Sequence, residues 1–350
     1  MNSEPLRNSK IQAIFSWFDN NSLPPSSAAN RLSNQSQVGS KTASQVASNN
    51  DAALAIAKQG LIPNQGMQTI NWLRIVPFIL IHLFPLLIFV VGFSWTALWF
   101  AVAFYVLRMF AITGFYHRYF SHRNFKTSRT IQFIFAFIGA TSAQRGPLWW
   151  ASHHREHHRH SDTTADPHSP EHKGFWWSHM FWFLADENLP TQTQRIKDFT
   201  KYRELQWLDR FDMFAPLILI IGLFLTGEIL AVYAPSLDTN GLQLVVWGFF
   251  VSTLCLYHAT YTINSLAHRF GKRRFETPDN SRNNFWLALI TLGEGWHNNH
   301  HYFSGTARQG FYWWEIDITY YLLKIMNKLG LVWELKPLPE RIKQQLSKDH

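Results

Sequence analysis

The stretch Ile75–Tyr116, IVPFILIHLFPLLIFVVGFSWTALWFAVAFYVLRMFAITGFY, decides the fold. No charged residue occurs from Ile75 to Leu107, and Arg108 alone interrupts the apolar run that continues to Tyr116. The run is long enough for two helices of about 20 residues, each able to cross a ~30 Å hydrocarbon core at ~1.5 Å per residue. Gly92-Phe93-Ser94 offers the tight turn between them. A second pair follows, Met213–Ala234 and Leu242–Asn264, separated by a break at Pro235–Gly241. Four such segments point to membrane spans rather than to two buried hairpins of a soluble protein. The expectation is an all-α integral membrane protein with four transmembrane helices, at about 75–95, 96–116, 213–234 and 242–264.

The rest of the chain is consistent with that reading. Charged residues make up 16% of the sequence, against about 25% in a typical soluble chain. Residues 1–70 read as a polar tail, because Asn21–Asn50 is dominated by Ser, Asn and Gln and cannot bury a core. Within it, Ile11–Phe18 reads as a transient amphipathic helix, and no secretory signal opens the chain. A single domain is expected over 71–336, with a C-terminal tail at 337–350. The turns near residue 94 and at 235–240 carry no Lys or Arg, whereas 117–212 carries 13 and 265–350 carries 12. By the positive-inside rule both termini and both polar segments are cytoplasmic, and the net charge of +9 belongs to a helical cap, not to a nucleic-acid surface. Thr130–Ala140 and Phe285–Leu292 are too short to span and read as interfacial helices. Trp313–Met326 reads as a helix packed under the cap.

One cysteine, Cys255, excludes a disulfide framework, an iron–sulfur cluster and a thiolate zinc site, leaving 17 histidines as the plentiful metal-binding side chain. They cluster at or beyond the cytoplasmic span ends. In His117-Arg-Tyr-Phe-Ser-His122 the two histidines lie about 140° apart on an α-helix, so sharing a metal requires the helix to end or turn between them. In His153-His154-Arg-Glu-His157-His158-Arg-His160, positions 154, 157 and 158 share one helical face, an arrangement that aims three imidazoles at one point. The same spacing recurs at His297, His300 and His301. His268 ends the fourth span, four residues after Asn264. These nine imidazoles exceed what one metal takes, so two metals are expected. His153, His160, His168 and His172 read as surface or supporting residues, and His82 and His258 as helix–helix hydrogen bonders.

The motifs HRYFSH, HREHH and HNNHH, with NSLAH before the last, resemble the three-histidine-box membrane fatty acid desaturases, most closely the stearoyl-CoA (delta-9) desaturase-like branch. The flanking GFYHRYFSHR, SDTTADPH, GEGWHNNHH and WWEIDITYYLLK extend the resemblance over about residues 72–336. It implies a cytoplasmic helical cap holding a dimetal site of two iron ions (Fe2+). One iron is implied at His117, His122, His158 and His301, with Asn264 acting through a water. The other is implied at His154, His157, His268, His297 and His300. No catalytic residue beyond the metal ligands is implied. The implied reaction introduces a cis double bond at carbon 9 of a saturated long acyl chain, using O2 and two electrons.

The resemblance also implies a bent substrate tunnel shaped by Trp150 and Thr260 with Gln144 beside them, and closed by Tyr105. Tyr105 lies twelve residues before His117, roughly 18 Å along a helix and about 120° around it, which leaves a packing or lipid-facing role open for it. Ser152-His153 stands where acyl-CoA-using relatives commonly carry Arg-Asp, which leaves coenzyme A, a lipid and a carrier protein open as the carrier. No His-Pro-Gly-Gly haem segment occurs, which implies a separate electron donor, a ferredoxin or a b-type cytochrome system, docking on the basic cap. The alternatives are a di-iron membrane hydroxylase of alkanes or lipids and, further off, a histidine-rich membrane metal-binding protein or transporter. A transporter places its ligands near the membrane midplane, whereas these lie beyond the span ends.

Overall fold

Ser94 caps the helix that follows the first turn, its hydroxyl accepting from the Ala97 amide at 3.3 Å, and Gly92 turns the chain at φ +74°. This is the turn expected between the first two apolar segments. In the computed structural model, which describes residues 17–20, 70, 72 and 75–348, the segment before it is α1 (Val76–Val91) and the one after it α2 (Trp95–Ser121). Nearly all of the expected N-terminal tail, including Ile11 to Ser16, lies outside the described residues.

Three helices among the described residues are long and apolar enough to cross a membrane: α2, α6 (Phe214–Tyr233) and α7 (Gly241–His268). The span expected at about 75–95 falls short of this. At 16 residues, α1 reaches about 24 Å at ~1.5 Å per residue, less than a ~30 Å core. Pro85 is the cause of its irregularity: it lacks an amide hydrogen and its ring crowds the carbonyl one turn back, so Phe84–Leu87 tightens into a 3-10 turn. On α6, Ile218, Ile221, Leu225, Ile229 and Val232 are exposed and nothing in the described chain covers them. A helix apolar on all sides suits hydrocarbon, not water. It pairs closely with α7, since a Cβ on Gly227 would sit 2.4 Å from the Asn240 carbonyl oxygen.

Arg108, the charge that interrupts the first apolar run, is fully buried. Its guanidinium donates to the hydroxyls of Ser252 and Thr253 and to the Thr141 carbonyl, fastening α2 to α7.

Between α2 and α6 come α3 (Arg129–Ala140), α4 (Pro147–His160), a run of short helical turns, and α5 (Arg203–Arg210). After α7 come α8 (Phe285–Ile290), α9 (His297–Tyr302), α10 (Ile318–Lys328) and α11 (Glu340–Lys348). The short apolar helices α3 and α8 stand where the sequence places them. The helix expected at Trp313–Met326 begins only at Ile318, because Asp317 caps it by accepting from the Tyr320 amide at 3.0 Å. Two residue pairs, Lys126–Thr127 and Val332–Trp333, form a small antiparallel sheet. The main core is aromatic: Phe115, Phe120, Phe125 and Phe199 bury against one another beneath α3 and α4.

Candidate metal centre

The last turns of α2 bring His117 and His122 together as the helix ends. From Ala111 to Ser121 the backbone widens to a π-helix, and the His122 amide donates to the His117 carbonyl five residues back, at 3.2 Å. Widening the repeat brings residues five apart onto one face, and the two rings lie 4.9 Å apart. The expected end of the helix between them is found at Ser121, and a change of helical pitch precedes it.

The nine box histidines converge as two groups. Candidate ligand nitrogens of His117, His122, His154, His158 and His300 lie within 4.8 Å of one another, and so do those of His157, His268, His297 and His301. Each repeated box divides between the groups. On α4, His154 and His158 join the first group and His157 the second; on α9, His297 and His301 join the second and His300 the first. The expectation that three imidazoles of a box aim at one point is corrected here. Positions i and i+4 diverge by only about 40° around a helix, whereas i+3 and i+4 diverge by about 100°, so the i, i+4 pair stays together and the third ring faces the neighbouring group. The grouping also exchanges His301 for His154 and His300 relative to the division that the resemblance implies.

The spacing within each group suits a metal. Two imidazole nitrogens bound at ~2.1 Å to one ion, at right angles, lie ~3.0 Å apart. Nε2–Nε2 separations are 3.0 Å for His117–His300, 2.9 Å for His122–His154, 2.9 Å for His158–His300 and 3.0 Å for His268–His297. Carboxylates hold the opposite edge of four rings at Nδ1: Glu294 on His117 (2.5 Å), Asp166 on His157 (3.0 Å), Asp162 on His268 (2.8 Å) and Asp279 on His301 (2.7 Å). Such a partner keeps the proton on Nδ1 and turns the Nε2 lone pair inward. His301 displays the consequence, since its Nε2 is buried with no hydrogen-bond partner. An orphaned lone pair among three other imidazoles is the donor set of a cation site.

Electrostatics favour the neutral, ligating form at six of the nine rings, whereas His157 is raised, its burial being outweighed by the Asp166 carboxylate. Burial, reinforced by the neighbouring imidazoles, holds His122, His154, His158, His297 and His300 well below the usual histidine range. His301 is pushed down to about 4 by burial, with Asp279 opposing. Burial alone would raise Asp279 and Asp166, but His301 and His157 respectively hold them well below the usual carboxylate range. Replacing Asp279 by Asn, which keeps the shape and removes the charge, is expected to weaken metal retention by about 10–100-fold. Metal content after dialysis against a graded chelator series measures this.

These four carboxylates were not singled out in the sequence. Asp162 and Asp166 stand inside SDTTADPH and Glu294 inside GEGWHNNHH, so the flanks carried a usable signal. Asp279 is contributed by the loop between α7 and α8, with no spacing that marks it. Of the histidines read as surface or supporting, His153 and His168 are buried, His168 stacking on the His157 ring at 4.3 Å. His160 lies near Glu156, and His172 is exposed. His258 bonds to His179 across helices, whereas His82 bonds only to the Phe78 carbonyl of its own helix.

Two cavities meet at the histidines. The larger is an open cleft of about 1290 Å³ including its solvent-filled mouth, and the smaller measures about 500 Å³. Trp150, His154, Thr260 and Asn264 line both. Gln144 donates to Thr260 Oγ1 at 2.8 Å on the side of the larger cavity. The smaller runs past His117, His157 and His297 to Met109, Ile112 and Thr113 of α2. Tyr105 lines neither cavity. It lies one turn beyond Met109 on the same face of α2, and its hydroxyl donates to the Ile290 carbonyl at 2.5 Å.

The family model described as fatty acid desaturase matches residues 65–331. An acyl-CoA 5-desaturase of Anemone leveillei is 38% identical over 73% of this chain and 76% of its own length. An sn-1 stearoyl-lipid 9-desaturase of Synechocystis is 38% identical over 80% of this chain and 85% of its own. Another, of Anabaena variabilis, is 36% identical over 76% of this chain and 94% of its own. The names of these relatives differ in carrier and in double-bond position.

Proposed function

The chain belongs to the fatty acid desaturases, and from that premise we propose that it introduces a cis double bond at carbon 9 of a saturated acyl chain linked to a membrane lipid. The observation that carries the reading is the convergence of nine imidazoles, in two groups, where two cavities join. In the proposal His117, His122, His154, His158 and His300 hold one iron and His157, His268, His297 and His301 the other, with Asn264 beside them. Bound iron would supply the oxidising power of O2, the balance being one –CH2–CH2– unit, O2, two electrons and two protons going to –CH=CH– and two waters.

The chain's own residues set the geometry. Glu294, Asp162, Asp166 and Asp279 fix the rings. Trp150 and the Gln144–Thr260 pair shape the junction, so that an acyl chain bends there and presents one bond to the histidines. Met109, Ile112 and Ile263 line the inner cavity and exclude water from the methyl end. In the proposal the hairpins α1–α2 and α6–α7 sit in the bilayer as four spans, the 16-residue α1 crossing where the bilayer thins around it, with both termini and the histidine cap on the cytoplasmic side. A separate electron donor docks on the basic cap.

The carrier assignment rests on the mouth of the larger cavity. Arg145 there faces Asp212 at 3.5 Å, and His153, pushed down to about 4 by burial, is neutral. Among the described residues lining that mouth no positive charge is in surplus, which suits an uncharged glycerolipid better than the several phosphate charges of coenzyme A. Expression in a host lacking its own 9-desaturase, followed by positional analysis of the lipids, tests the reading. A cis-9 chain esterified to glycerolipid is the expected product. A hydroxylated chain, or conversion of acyl-CoA alone in purified membranes, would overturn it.

The same reading places the end of the acyl chain near Tyr105. Tyr105→Ala is expected to shift products toward longer chains while the double bond stays at carbon 9, read by mass spectrometry of the product distribution. An unchanged distribution would assign the closing role to Met109 or Ile112 instead.

A further inference from the structure

Near the N-terminus Trp17 lines the larger cavity, and Asp19 and Asn20 dock beside it. Trp17 forms part of its wall together with Ile75, Pro77, Arg145, Asp212 and Met213. Asp19 receives both arms of the Arg210 guanidinium, at 2.9 and 2.7 Å. Asn20 donates to the Asp209 carbonyl at 2.7 Å and to Asp212 Oδ2 at 3.0 Å. All of these partners lie on one corner, where α5 ends and α6 begins, some 190 residues further along the chain.

That corner also supports the histidine helix. The first residues of α4 follow Gly146, which has no side chain to cap them, and Asp209 Oδ1 serves instead by accepting from the Trp149 amide at 2.8 Å. No side chain fits at Gly146, because a Cβ there would come within 2.4 Å of the Asp209 Cα. The corner is thus rigid, built into the cap through buried groups. The contacts by which the segment grips it include a half-exposed ion pair and two hydrogen bonds from the Asn20 amide.

We propose that Trp17–Asn20 form a strap that closes the mouth of the larger cavity, with Trp17 governing which acyl carriers gain access to it. The proposal rests on the acyl-chain reading of that cavity. The indole is apolar and broad, and it covers the place where a carrier's headgroup leaves the cavity. Substrates reach the histidines when the Asp19–Arg210 fork lets go, and the strap returns over the bound chain and excludes water.

The test uses the full-length chain in membranes, with Asp19→Cys and Arg210→Cys combined in a Cys255→Ser background. Mild oxidation is expected to link the two cysteines, scored by loss of thiol labelling and so independent of activity. In the linked state, uptake of a pyrene-labelled fatty acid and desaturation should both fall roughly ten-fold, as for a locked lid, and reductant should restore both. A second, independent arm is charge reversal: Asp19→Arg and Arg210→Asp each loosen the strap, and the two together restore it. Trp17→Ala should narrow the discrimination between lipid-linked and coenzyme A-linked chains, read as the ratio of their kcat/KM values. Failure of both the link and the reciprocal rescue overturns the docking. A link that leaves uptake of the probe unaltered overturns the strap. Normal gating of uptake with no unsaturated product overturns the desaturase reading and leaves the strap standing.

Discussion

Replacing His157 by alanine is expected to leave a membrane-inserted protein that forms no measurable unsaturated product. The ring belongs to the smaller group, with His268, His297 and His301, so its loss removes one of four converging nitrogens. It also takes one hydrogen bond, 3.0 Å long, from the fully buried carboxylate of Asp166, which keeps the Asp162 and His168 amides. Loss of a supporting partner alone costs about 10–100-fold at metal sites, and loss of a donor nitrogen is expected to exceed that. Folding should survive, because α2, α6 and α7 also pack through Ala97, Leu223, Leu244 and Phe249, a cluster separate from the histidines. Gas chromatography of the host lipids and metal analysis of the purified variant provide the check, with His160→Ala as the control. His160 lies outside both groups and should behave as wild type. Near-normal activity of the His157 variant would remove the second group from the mechanism.

The largest effect on stability is expected from Arg118→Ala. Arg118 is fully buried and stands next to His117. Its guanidinium bonds to Glu294 at 3.1 Å, to Asp317 at 2.9 Å and to the Ala307 carbonyl at 2.8 Å. Burying such a group with its partners is close to neutral, whereas removing one partner leaves the others unpaired and costs about 3–5 kcal/mol. Here two buried carboxylates would lose their guanidinium counter-charge while Gln309 and the Tyr320 amide still donate to them, and one of them, Glu294, also orients His117. Thermal unfolding in detergent should show the loss, together with reduced metal retention because His117 is no longer held. Arg118→Lys should recover only part of it, since a single ammonium cannot reach both acids in the guanidinium geometry. A variant as stable as wild type would mean that water enters and solvates the acids.

The histidine boxes were legible because their spacing is local. His154 and His158 share a helix face by covalent geometry alone, as do His297 and His301, and no tertiary contact is needed to see it. Misplaced was the third histidine of each box, since its partner lies on another helix. The Ala111–Ser121 stretch was illegible for a related reason: the α and π pitches differ by one hydrogen-bond step. Here the π pitch accompanies dense packing, with every residue from Ala111 to Ser121 buried. Pro85 was visible in the sequence, but its cost in helix length was not drawn from it.

From the sequence alone came the apolar hairpins, the polar segments between and after them, and the nine histidines with the metal chemistry they suit. Those properties follow from side-chain type and from periodicity along one chain. Tertiary structure alone decided how the nine rings divide into two groups, which carboxylates turn them, where the two cavities join, and that Trp17 reaches the mouth of one. Each of these depends on where separate helices cross. Asp279 and His301 are 22 residues apart yet 2.7 Å in contact, and Trp17 lines a cavity beside Met213. Pairings of that kind are set by packing, which no local pattern encodes.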